Sequence, residues 1–192
     1  LAEEKIDPGS IQMLAMIQCV HSRDSERSYC SRVCCTHALK NALKLKEKNP
    51  EAQIYILNRD IRSYGFYEKY YLEARNKGII FVHYDPENKP ELTQNGTNLG
   101  LKFTDPLINQ RIEISPDLVA LSTGILPHQN KDVAALLHLK QDAYGFYMED
   151  KPKAAPLDMA DRGKYVIGLC HSPNHIEDVI CQAKAAAARA AT

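Results

Sequence analysis

Short apolar runs alternate with helical patterns through the first half of the chain. Runs of this length predict buried strands, and three are present: "QMLAMIQCV", "AQIYILNRDI" and "IIFVHYD". After the first run, apolar residues recur at helical spacing from about Ser31, which predicts a helix that Asn49 and Pro50 end. The stretch "YGFYEKYYLEARNKG" predicts a second helix, which Gly78 stops. The order βαβαβ predicts an α/β fold with a parallel sheet and right-handed crossovers.

The second half of the chain is less regular. The segments "LGLKFTD" and "QRIEIS" predict a β-hairpin or meander, and "DLVALSTG" predicts a strand that ends in a glycine turn. Farther on, we expect a short strand in "YGFYMED", another strand from Tyr165 to Gly168, and a helix from about His175 to the end of the chain.

The composition excludes several functional classes. The chain has 24 basic and 24 acidic residues, so its formal charge is zero, and no basic stripe suggests a nucleic-acid partner. No apolar run approaches the roughly 18 residues of a membrane span. Because the sequence begins at Leu1 without a methionine, we expect a piece of a longer chain. Its composition is typical of a cytoplasmic α/β protein.

The cysteines are unevenly distributed. Six are present, and four lie in one region of the sequence: Cys19, Cys30, Cys34 and Cys35. Cys19 closes the first predicted strand, and the other three lie in the following loop and first helical turn. A dinucleotide-binding unit carries glycines here to approach a pyrophosphate, but no glycine occurs between Gln12 and Lys48. The cysteines therefore occupy the place of a phosphate site.

The spacing leaves the chemistry of this region open. Thiolates suit a zinc ion or an iron–sulfur cluster, but the spacing matches neither a zinc knuckle nor a ferredoxin run. A redox disulfide and ordinary buried cysteines are further interpretations. Cys170 and Cys181 are isolated in the sequence, and we expect them in the core. We interpret Arg59, Asp60 and Arg62 as a solvated or subunit-facing patch.

The residues around these cysteines carry a resemblance. The segment "MIQCVHSRDSERSYCSRVCCTHALKNALKLKEKNPEAQIYILNRD", together with "LVALSTGILP" and "HSPNHIEDVICQAKAAAARAAT", resembles the A-type subunit of heterodisulfide reductase and its bacterial relatives. A related subunit serves quinone-interacting membrane-bound oxidoreductase complexes. The resemblance extends over essentially the whole chain.

The resemblance implies a thioredoxin-reductase-like flavoprotein core with two cofactors. It implies a Rossmann-like, pyridine-nucleotide-type domain with a β-meander over residues 1–124, and the C-terminal strand-helix portion of a split FAD domain over residues 125–192. In the family, cysteines of this pattern hold a [4Fe–4S] cluster, which carries over to Cys19, Cys30, Cys34 and Cys35. The second cofactor is FAD.

The family also implies an activity and partners. Its members are oxidoreductase subunits that relay electrons, in some cases by electron bifurcation. They work with B- and C-type subunits, a hydrogenase or dehydrogenase as electron donor, and ferredoxin, so we expect a homo- or hetero-oligomer.

Two segments are expected on the flavin side. The turn formed by Ser122, Thr123 and Gly124 resembles a turn beside FAD in the wider reductase superfamily. The loop after Gly168 leads into a helix N-terminus, whose backbone N–H groups suit the electron-rich edge of a flavin. The expected flavin contacts are Thr123, Gly124, Gly168, His171, Ser172, Pro173 and Ile176.

Two other functions remain as alternatives. One is a pyridine-nucleotide–disulfide oxidoreductase that uses Cys34 or Cys35 as redox thiols. The other is a non-enzymatic docking module stapled by zinc. Iron content and flavin absorbance discriminate these functions from an electron-transfer subunit.

Overall fold

The structure, a computed structural model, describes residues 6–128 and 130–191. The chain folds into two compact units. Unit 1 comprises Leu1–Ser28 and Cys34–Gly124, and unit 2 comprises Tyr29–Val33 and Ile125–Thr192. The short segment Tyr29–Val33 therefore belongs to unit 2, although both of its neighbours in sequence belong to unit 1.

A four-stranded parallel sheet forms the centre of unit 1. Its strands are β1 (Met13–Val20), β2 (Gln53–Asn58), β3 (Ile80–His83) and β7 (Leu118–Thr123). The spatial order is β3-β2-β1-β7, and each neighbouring pair is parallel. The predicted parallel α/β sheet is confirmed, and the strand from "DLVALSTG" extends it beside β1.

Two helices cover one face of this sheet. Helix α1 spans Cys34–Lys48 and α2 spans Glu68–Asn76, after a 3-10 turn at Gly65–Tyr67. The predicted helices are present, but α1 starts at Cys34 rather than about Ser31, because Arg32 has a φ of 60°, which a right-handed helix does not allow. Leu39 and Leu45 of α1 are fully buried against this face of the sheet. Replacing such a leucine by alanine costs about 2–5 kcal/mol.

A three-stranded antiparallel meander lies over the opposite face. It consists of β4 (Glu91–Asn95), β5 (Asn98–Asp105) and β6 (Gln110–Ile114). Leu101 and Phe103 of β5 pack in one cluster with Ala15 and Ile17 of β1. The predicted hairpin is confirmed as β5 and β6. Strand β4 was not predicted, because all of its residues are exposed and show no apolar alternation.

Unit 2 contains little regular structure. Its helices are α3 (Lys131–Leu136) and α4 (Ile176–Ala190), and a 3-10 turn spans Gly168–Cys170. The predicted C-terminal helix is confirmed with His175 as its N-cap, while Thr192 lies outside the described residues. No helix of the described residues is long and apolar enough to cross a membrane.

The two strands predicted in unit 2 do not form. In "YGFYMED", only an isolated antiparallel bridge forms, between Tyr147 and Gln141. In the second segment, Tyr165 makes a single antiparallel bridge to Asp158. Gly168 has a φ of 66°, which ends any extended run, and its N–H bonds to the side chain of Gln182. The strand that the residue pattern predicts from Tyr165 to Gly168 is therefore wrong in these residues.

Candidate functional site

Cys19, Cys34 and Cys35 lie at the carboxyl edge of the parallel sheet in unit 1. Cys19 is the next-to-last residue of β1, and Cys34 and Cys35 begin α1. In a parallel crossover the helix returns antiparallel to its strand, so its N-terminus starts at the edge where the strand ends. Cys19 and Cys34 are half-buried and Cys35 is buried.

The backbone around Cys19 departs from regular strand geometry. Cys19, His21 and Arg23 have φ values of 59°, 54° and 58°, in the left-handed region that non-glycine residues rarely adopt. The pairing of β1 with β7 shifts register between Ile17 and Val20. Such conformations cost about 1–3 kcal/mol each and concentrate at functional sites. The strain therefore marks the end of β1 as a candidate site.

Arg23 and Asp60 connect Cys19 with Cys35. The Arg23 Nη1 lies 4.0 Å from the Cys19 Sγ and also donates to the Asp60 carboxylate. The Cys35 Sγ lies 3.9 Å from the backbone oxygen of Asp60. A guanidinium in this position favours negative charge on the Cys19 sulfur.

Two arginines, Arg23 and Arg62, stabilise the ionised carboxylate of Asp60. Partial burial raises the pKa of the Asp60 carboxyl, but hydrogen bonds from Arg23 and Arg62 outweigh this effect, and the pKa is lowered overall. Arg59 donates to the backbone oxygen of Arg23. The patch interpreted as solvated or subunit-facing also contacts the loop after Cys19, and Asp60 and Arg62 are exposed.

Tyr84, the residue after β3, contacts the end of β1 through its side chain. Its side chain is 5% exposed, and its hydroxyl donates to the backbone oxygen of Gln18. Burial, followed by the nearby charge of Cys19, raises the pKa of Tyr84 to about 12. Tyr84 is therefore a neutral hydrogen-bond donor at physiological pH.

The side chain of Gln18 is buried without a partner. It is 0% exposed, and both its Nε2 and its Oε1 lack a hydrogen bond among the described residues. Leaving a buried polar group unsatisfied costs about 1–3 kcal/mol. A second polar group at this position would remove that cost.

A cleft opens beside Cys19 in unit 1. Its volume is about 530 Å³, and its lining includes His21, Arg59, Tyr84 and Lys89. This size is within the range of small-molecule sites. The cleft joins the cysteine-bearing edge to solvent.

Cys30 belongs to unit 2. Its Sγ accepts a hydrogen bond of 3.3 Å from the backbone N–H of Arg32. The Arg32 guanidinium contacts Asn174 and, at 3.3 Å, Asp178 of α4. Buried Ser31 accepts from the N–H of Ile125 at 2.9 Å. The segment that carries Cys30 is therefore anchored within unit 2.

The described residues contain no group of three or more His, Cys, Asp or Glu side chains placed to hold a metal ion. A single zinc ion would bring its thiolates within about 4 Å of one another, because Zn–S bonds are about 2.3 Å long. An iron–sulfur cluster is wider, since thiolates bind its separate irons. Three thiols and a neighbouring guanidinium lie at one edge of the sheet in unit 1.

Two expected flavin contacts lie in unit 1. Thr123 is the last residue of β7, and the N–H of Gly124 bonds to the backbone oxygen of Val20 at 2.8 Å. A Cβ on Gly124 would stand 2.5 Å from the backbone oxygen of His21. Close packing alone therefore explains why position 124 is a glycine, whether or not a cofactor binds there.

The other expected flavin contacts surround the start of α4 in unit 2. They are Gly168, His171, Ser172, Pro173 and Ile176. The N–H groups of His171 and Ser172 bond to the backbone oxygen of Gly168 at 3.0 and 3.1 Å. Pro173 is buried two residues before the N-cap, and Ile176, the first helical residue, is 67% exposed.

His171 is oriented by a carboxylate. Its Nε2 lies 2.8 Å from an oxygen of Glu149, and its Nδ1 is buried without a partner among the described residues. Burial raises the pKa of Glu149, but hydrogen bonds from its own backbone and from His171 lower it overall. Glu149 was not predicted, because nothing in its sequence context links it to His171.

Cys170 and Cys181 are exposed, so their predicted place in the core is wrong. Cys170 ends the 3-10 turn, with its Sγ 2.9 Å from the backbone oxygen of Ile167, and Cys181 lies on α4. Gln18, Arg23 and Ser31 were not singled out from the sequence. The polar Gln18 inside an otherwise apolar strand was the only available signal.

Known proteins are similar to this chain in sequence and in fold. The chain is 41% identical over 191 residues to the second iron-sulfur A-type subunit of CoB–CoM heterodisulfide reductase from Methanopyrus kandleri, covering 93% of this chain and 28% of that protein. This chain is related to the A-type subunits of heterodisulfide reductase. It is also 39% identical to the A-type subunit of ferredoxin:CoB-CoM heterodisulfide reductase from Methanosarcina acetivorans, covering 92% of the chain and 22% of that protein. The chain thus spans roughly a quarter of these curated relatives.

Solved structures show the same fold in thioredoxin reductases. The enzyme of T. acidophilum superposes with a TM-score of 0.61 at 17% identity, covering 93% of this chain and 51% of that one. The Lactococcus lactis enzyme gives a TM-score of 0.60 at 15% identity, covering 94% and 52%. No protein-family model matches the chain. The thioredoxin-reductase-like α/β fold expected for this relative of heterodisulfide reductase is confirmed.

Proposed function

We propose that this chain is the cofactor-bearing part of an electron-transfer oxidoreductase subunit of the heterodisulfide reductase type. Cys19, Cys30, Cys34 and Cys35 hold a [4Fe–4S] cluster in this proposal. The observation that carries it is the set of three cysteines at the carboxyl edge of the sheet in unit 1, the place where a dinucleotide-binding domain has glycines. The similarity to proteins named as iron-sulfur subunits supports the choice of cluster.

The residues of unit 1 have defined tasks in this proposal. Arg23 places positive charge beside the Cys19 sulfur, and Asp60 fixes the position of Arg23. Tyr84 and the left-handed backbone at Cys19 hold the end of β1 in place. Charge, hydrogen bonding and burial around the sulfurs set the potential of a cluster.

FAD is the second cofactor in the proposal, with contacts at Thr123, Gly124, Gly168, His171, Ser172, Pro173 and Ile176. When bound, a flavin exchanges electron pairs and single electrons, which links it to one-electron carriers. The first N–H groups of α4 suit the anionic edge of a reduced flavin. Glu149 holds the His171 ring in one orientation.

The partners follow from the names of the relatives. One is named as using ferredoxin, and another, from Methanococcus maripaludis, is named as part of an H(2)/formate:CoB-CoM heterodisulfide,ferredoxin reductase. We propose B- and C-type subunits, a hydrogenase or dehydrogenase donor and ferredoxin as partners, with simple relay or electron bifurcation as the mode of transfer. The proposed location is the cytoplasm.

Iron and acid-labile sulfide analysis of the whole, anaerobically purified protein tests the cluster. We expect about four irons per chain and an EPR signal on reduction, as for [4Fe–4S]. Cys34→Ser removes a ligand and lowers the iron content. Cys181→Ser is the matched control, because Cys181 is exposed on α4 and outside the proposed ligand set.

Other outcomes identify the alternatives. Full flavin content without iron, together with rapid reduction by NADPH, identifies a pyridine-nucleotide–disulfide oxidoreductase. One equivalent of zinc without flavin absorbance identifies a docking module. Either result rejects the electron-transfer proposal.

A further inference from the structure

The tetrapeptide Tyr-Gly-Phe-Tyr occurs twice in the chain, at 64–67 in unit 1 and at 144–147 in unit 2. In unit 2 its phenylalanine, Phe146, is 3% exposed and packs edge-on against the ring of Tyr29 at 5.3 Å. In unit 1 the corresponding Phe66 is 93% exposed, in the 3-10 turn before α2. The same local sequence therefore has a covered ring in one unit and, in the part of the chain that the structure describes, an uncovered ring in the other.

Phe66 precedes Tyr67, which lines a groove between α1 and α2. The groove has a volume of about 480 Å³, and its lining includes Leu43 of α1 and Tyr70 of α2. The rings of Tyr67 and Tyr70 are stacked, with centroids 6.3 Å apart. Tyr64, at the start of the turn, is 52% exposed. Apolar groups gathered on one surface in this way mark a site of association.

The groove also carries positive charge. Lys40 and Lys44 line it, and neither makes an ion pair within residues 6–128 and 130–191. The acids of the groove are Glu47 and Glu73. Lys77 donates to Glu73 at 2.9 Å, and this bond, together with the charges of Glu73 and Glu47, raises the pKa of the Lys77 ammonium. The two acids thus interact with Lys77, and the charges of the two lysines are left for a ligand.

We propose that the groove between α1 and α2 is a docking site for an acidic amphipathic helix of another polypeptide. The apolar face of that helix covers Phe66 and the two tyrosines of the groove, and its carboxylates pair with Lys40 and Lys44. Amphipathic helices are recognised in apolar grooves in this way, by anchors spaced one helical turn apart. The inference is independent of the proposed function, because the lining of the groove contains no proposed cluster ligand or flavin contact.

Charge and shape favour this occupant over two others. Helix α1 carries four lysines against one glutamate, in a chain whose formal net charge is zero. Two copies of the chain that met through this surface would place lysines opposite lysines, which opposes their association. An anionic bilayer would satisfy the lysines, but its broad surface would leave a groove between two helices unfilled. A helix with carboxylates beside its apolar face satisfies both the charge and the shape.

Binding of a synthetic peptide to the whole protein tests the inference. The probe is an amphipathic helical peptide with leucine on one face and glutamate on the other, and the reference peptide has lysine in place of glutamate. Fluorescence anisotropy is expected to show binding of the acidic peptide, weaker as the salt concentration rises, and no binding of the basic peptide. A photoreactive group on the leucine face is expected to cross-link to the segment 64–70.

Two variants measure the contributions of the ring and of the charge. Phe66→Ser and Lys44→Glu are each expected to weaken binding of the acidic peptide by about tenfold, as for other anchor residues of an interface. Leu107→Ser is the control for the first, because Leu107 is 91% exposed in the turn between β5 and β6. Lys184→Glu, on α4 of unit 2, is the control for the second. Both controls are expected to keep the wild-type affinity.

Several results would overturn the inference. One is an acidic peptide that does not bind, or that binds with the same affinity to the Phe66→Ser and Leu107→Ser proteins. Loss of self-association in the Phe66→Ser protein, measured by light scattering, would identify an interface between copies of the chain. Binding to phosphatidylserine vesicles that Phe66→Ser abolishes would identify a membrane contact. A lower urea midpoint for Phe66→Ser would assign the ring to folding and reject its role in docking.

Discussion

Gly124 follows β7 and lies so close to the loop after β1 that no side chain fits between them. The contact is with the backbone oxygen of His21, 2.5 Å from an ideal Cβ, so no side-chain rotation relieves it. We predict that Gly124→Ala destabilises the protein by about 1–3 kcal/mol through overpacking. Urea unfolding measures the effect.

Gly9→Ala is the control for this substitution. A Cβ on Gly9 meets Asp7 only at 3.4 Å, an ordinary contact with a side chain on the surface. We expect a change within about 0.5 kcal/mol. Equal destabilisation by the two substitutions contradicts the packing role of Gly124.

Tyr84 gives the protein a specific sensitivity to alkali. Its pKa is about 12 in the folded protein and near 10 in an unfolded chain. Between these values the folded state keeps a proton that the unfolded state has lost, so the stability is fully present below pH 10 and decreases as the pH rises toward 12. We predict that Tyr84→Phe removes this part of the alkaline loss.

Urea unfolding between about pH 8 and pH 11 measures that effect. At pH 8 the same substitution costs about 0.5–1.5 kcal/mol, because the bond to the Gln18 backbone oxygen is lost. Tyr70→Phe is the control, since the Tyr70 side chain is exposed. If the Tyr84→Phe protein keeps the wild-type decrease, another group causes it.

At the scale of elements, the segment Tyr29–Val33 is held by contacts distant in sequence. Arg32 reaches Asn174 and Asp178, and the Tyr29 hydroxyl donates to the backbone oxygen of Ile125 at 2.7 Å. The Tyr29 ring also packs edge-on against Tyr144 at 4.9 Å. The position of Cys30 thus depends on α4 and on the residues after β7.

We predict that Arg32→Ala loosens this segment and lowers the iron content of the purified protein. Hydrogen–deuterium exchange of residues 29–33 should become faster, because the guanidinium contacts to α4 are lost. Arg189→Ala is the control, because Arg189 lies on α4 and its guanidinium pairs with Asp158 at 2.7 Å. Faster exchange with unchanged iron would show that Cys30 is not a ligand.

The sequence predicted the elements of unit 1 well, because their apolar periodicity matches the faces that they bury. It predicted the start of α1 too early, because the contacts of Ser31 and Arg32 are with residues far along the chain. The strand expected at Tyr165–Gly168 is replaced by a turn, since the N–H of Gly168 bonds to a side chain of α4. Short-range patterns do not contain such contacts.

For the candidate site, the sequence located the thiols but not their surroundings. The cysteines stand out by type and spacing. Arg23 and Asp60 are ordinary charged residues in sequence, and only the folded loop brings them between Cys19 and Cys35. Gln18 becomes informative only when its burial and its lack of a partner among the described residues are known.

At the scale of the whole molecule, α4 presents apolar side chains to solvent. Ile176 and Ile180 are 67% and 47% exposed, and Leu169 before the helix is 52% exposed. Exposed apolar groups on one surface mark sites of association. We predict that Ile180→Lys reduces self-association of the 192-residue chain without lowering its urea midpoint.

Light scattering at increasing protein concentration measures this association. Ala186→Lys is the contrasting variant, because Ala186 is 9% exposed and its replacement by a charged side chain is expected to lower the urea midpoint. If Ile180→Lys also lowers that midpoint, the side chain of Ile180 contributes to folding and is not part of an association surface.

The membership of Tyr29–Val33 in unit 2 also sets an order of events during biosynthesis. The ribosome makes the loop with Cys30 early, but the anchors of Ser31 and Arg32, at Ile125 and Asp178, follow them by 94 and 146 residues. A nascent chain can complete the βαβ layers of unit 1 while Cys30 is still untethered. For the proposed cluster, insertion of iron and sulfide should therefore wait until α4 has been made, and chains truncated before α4 are expected to bind no iron.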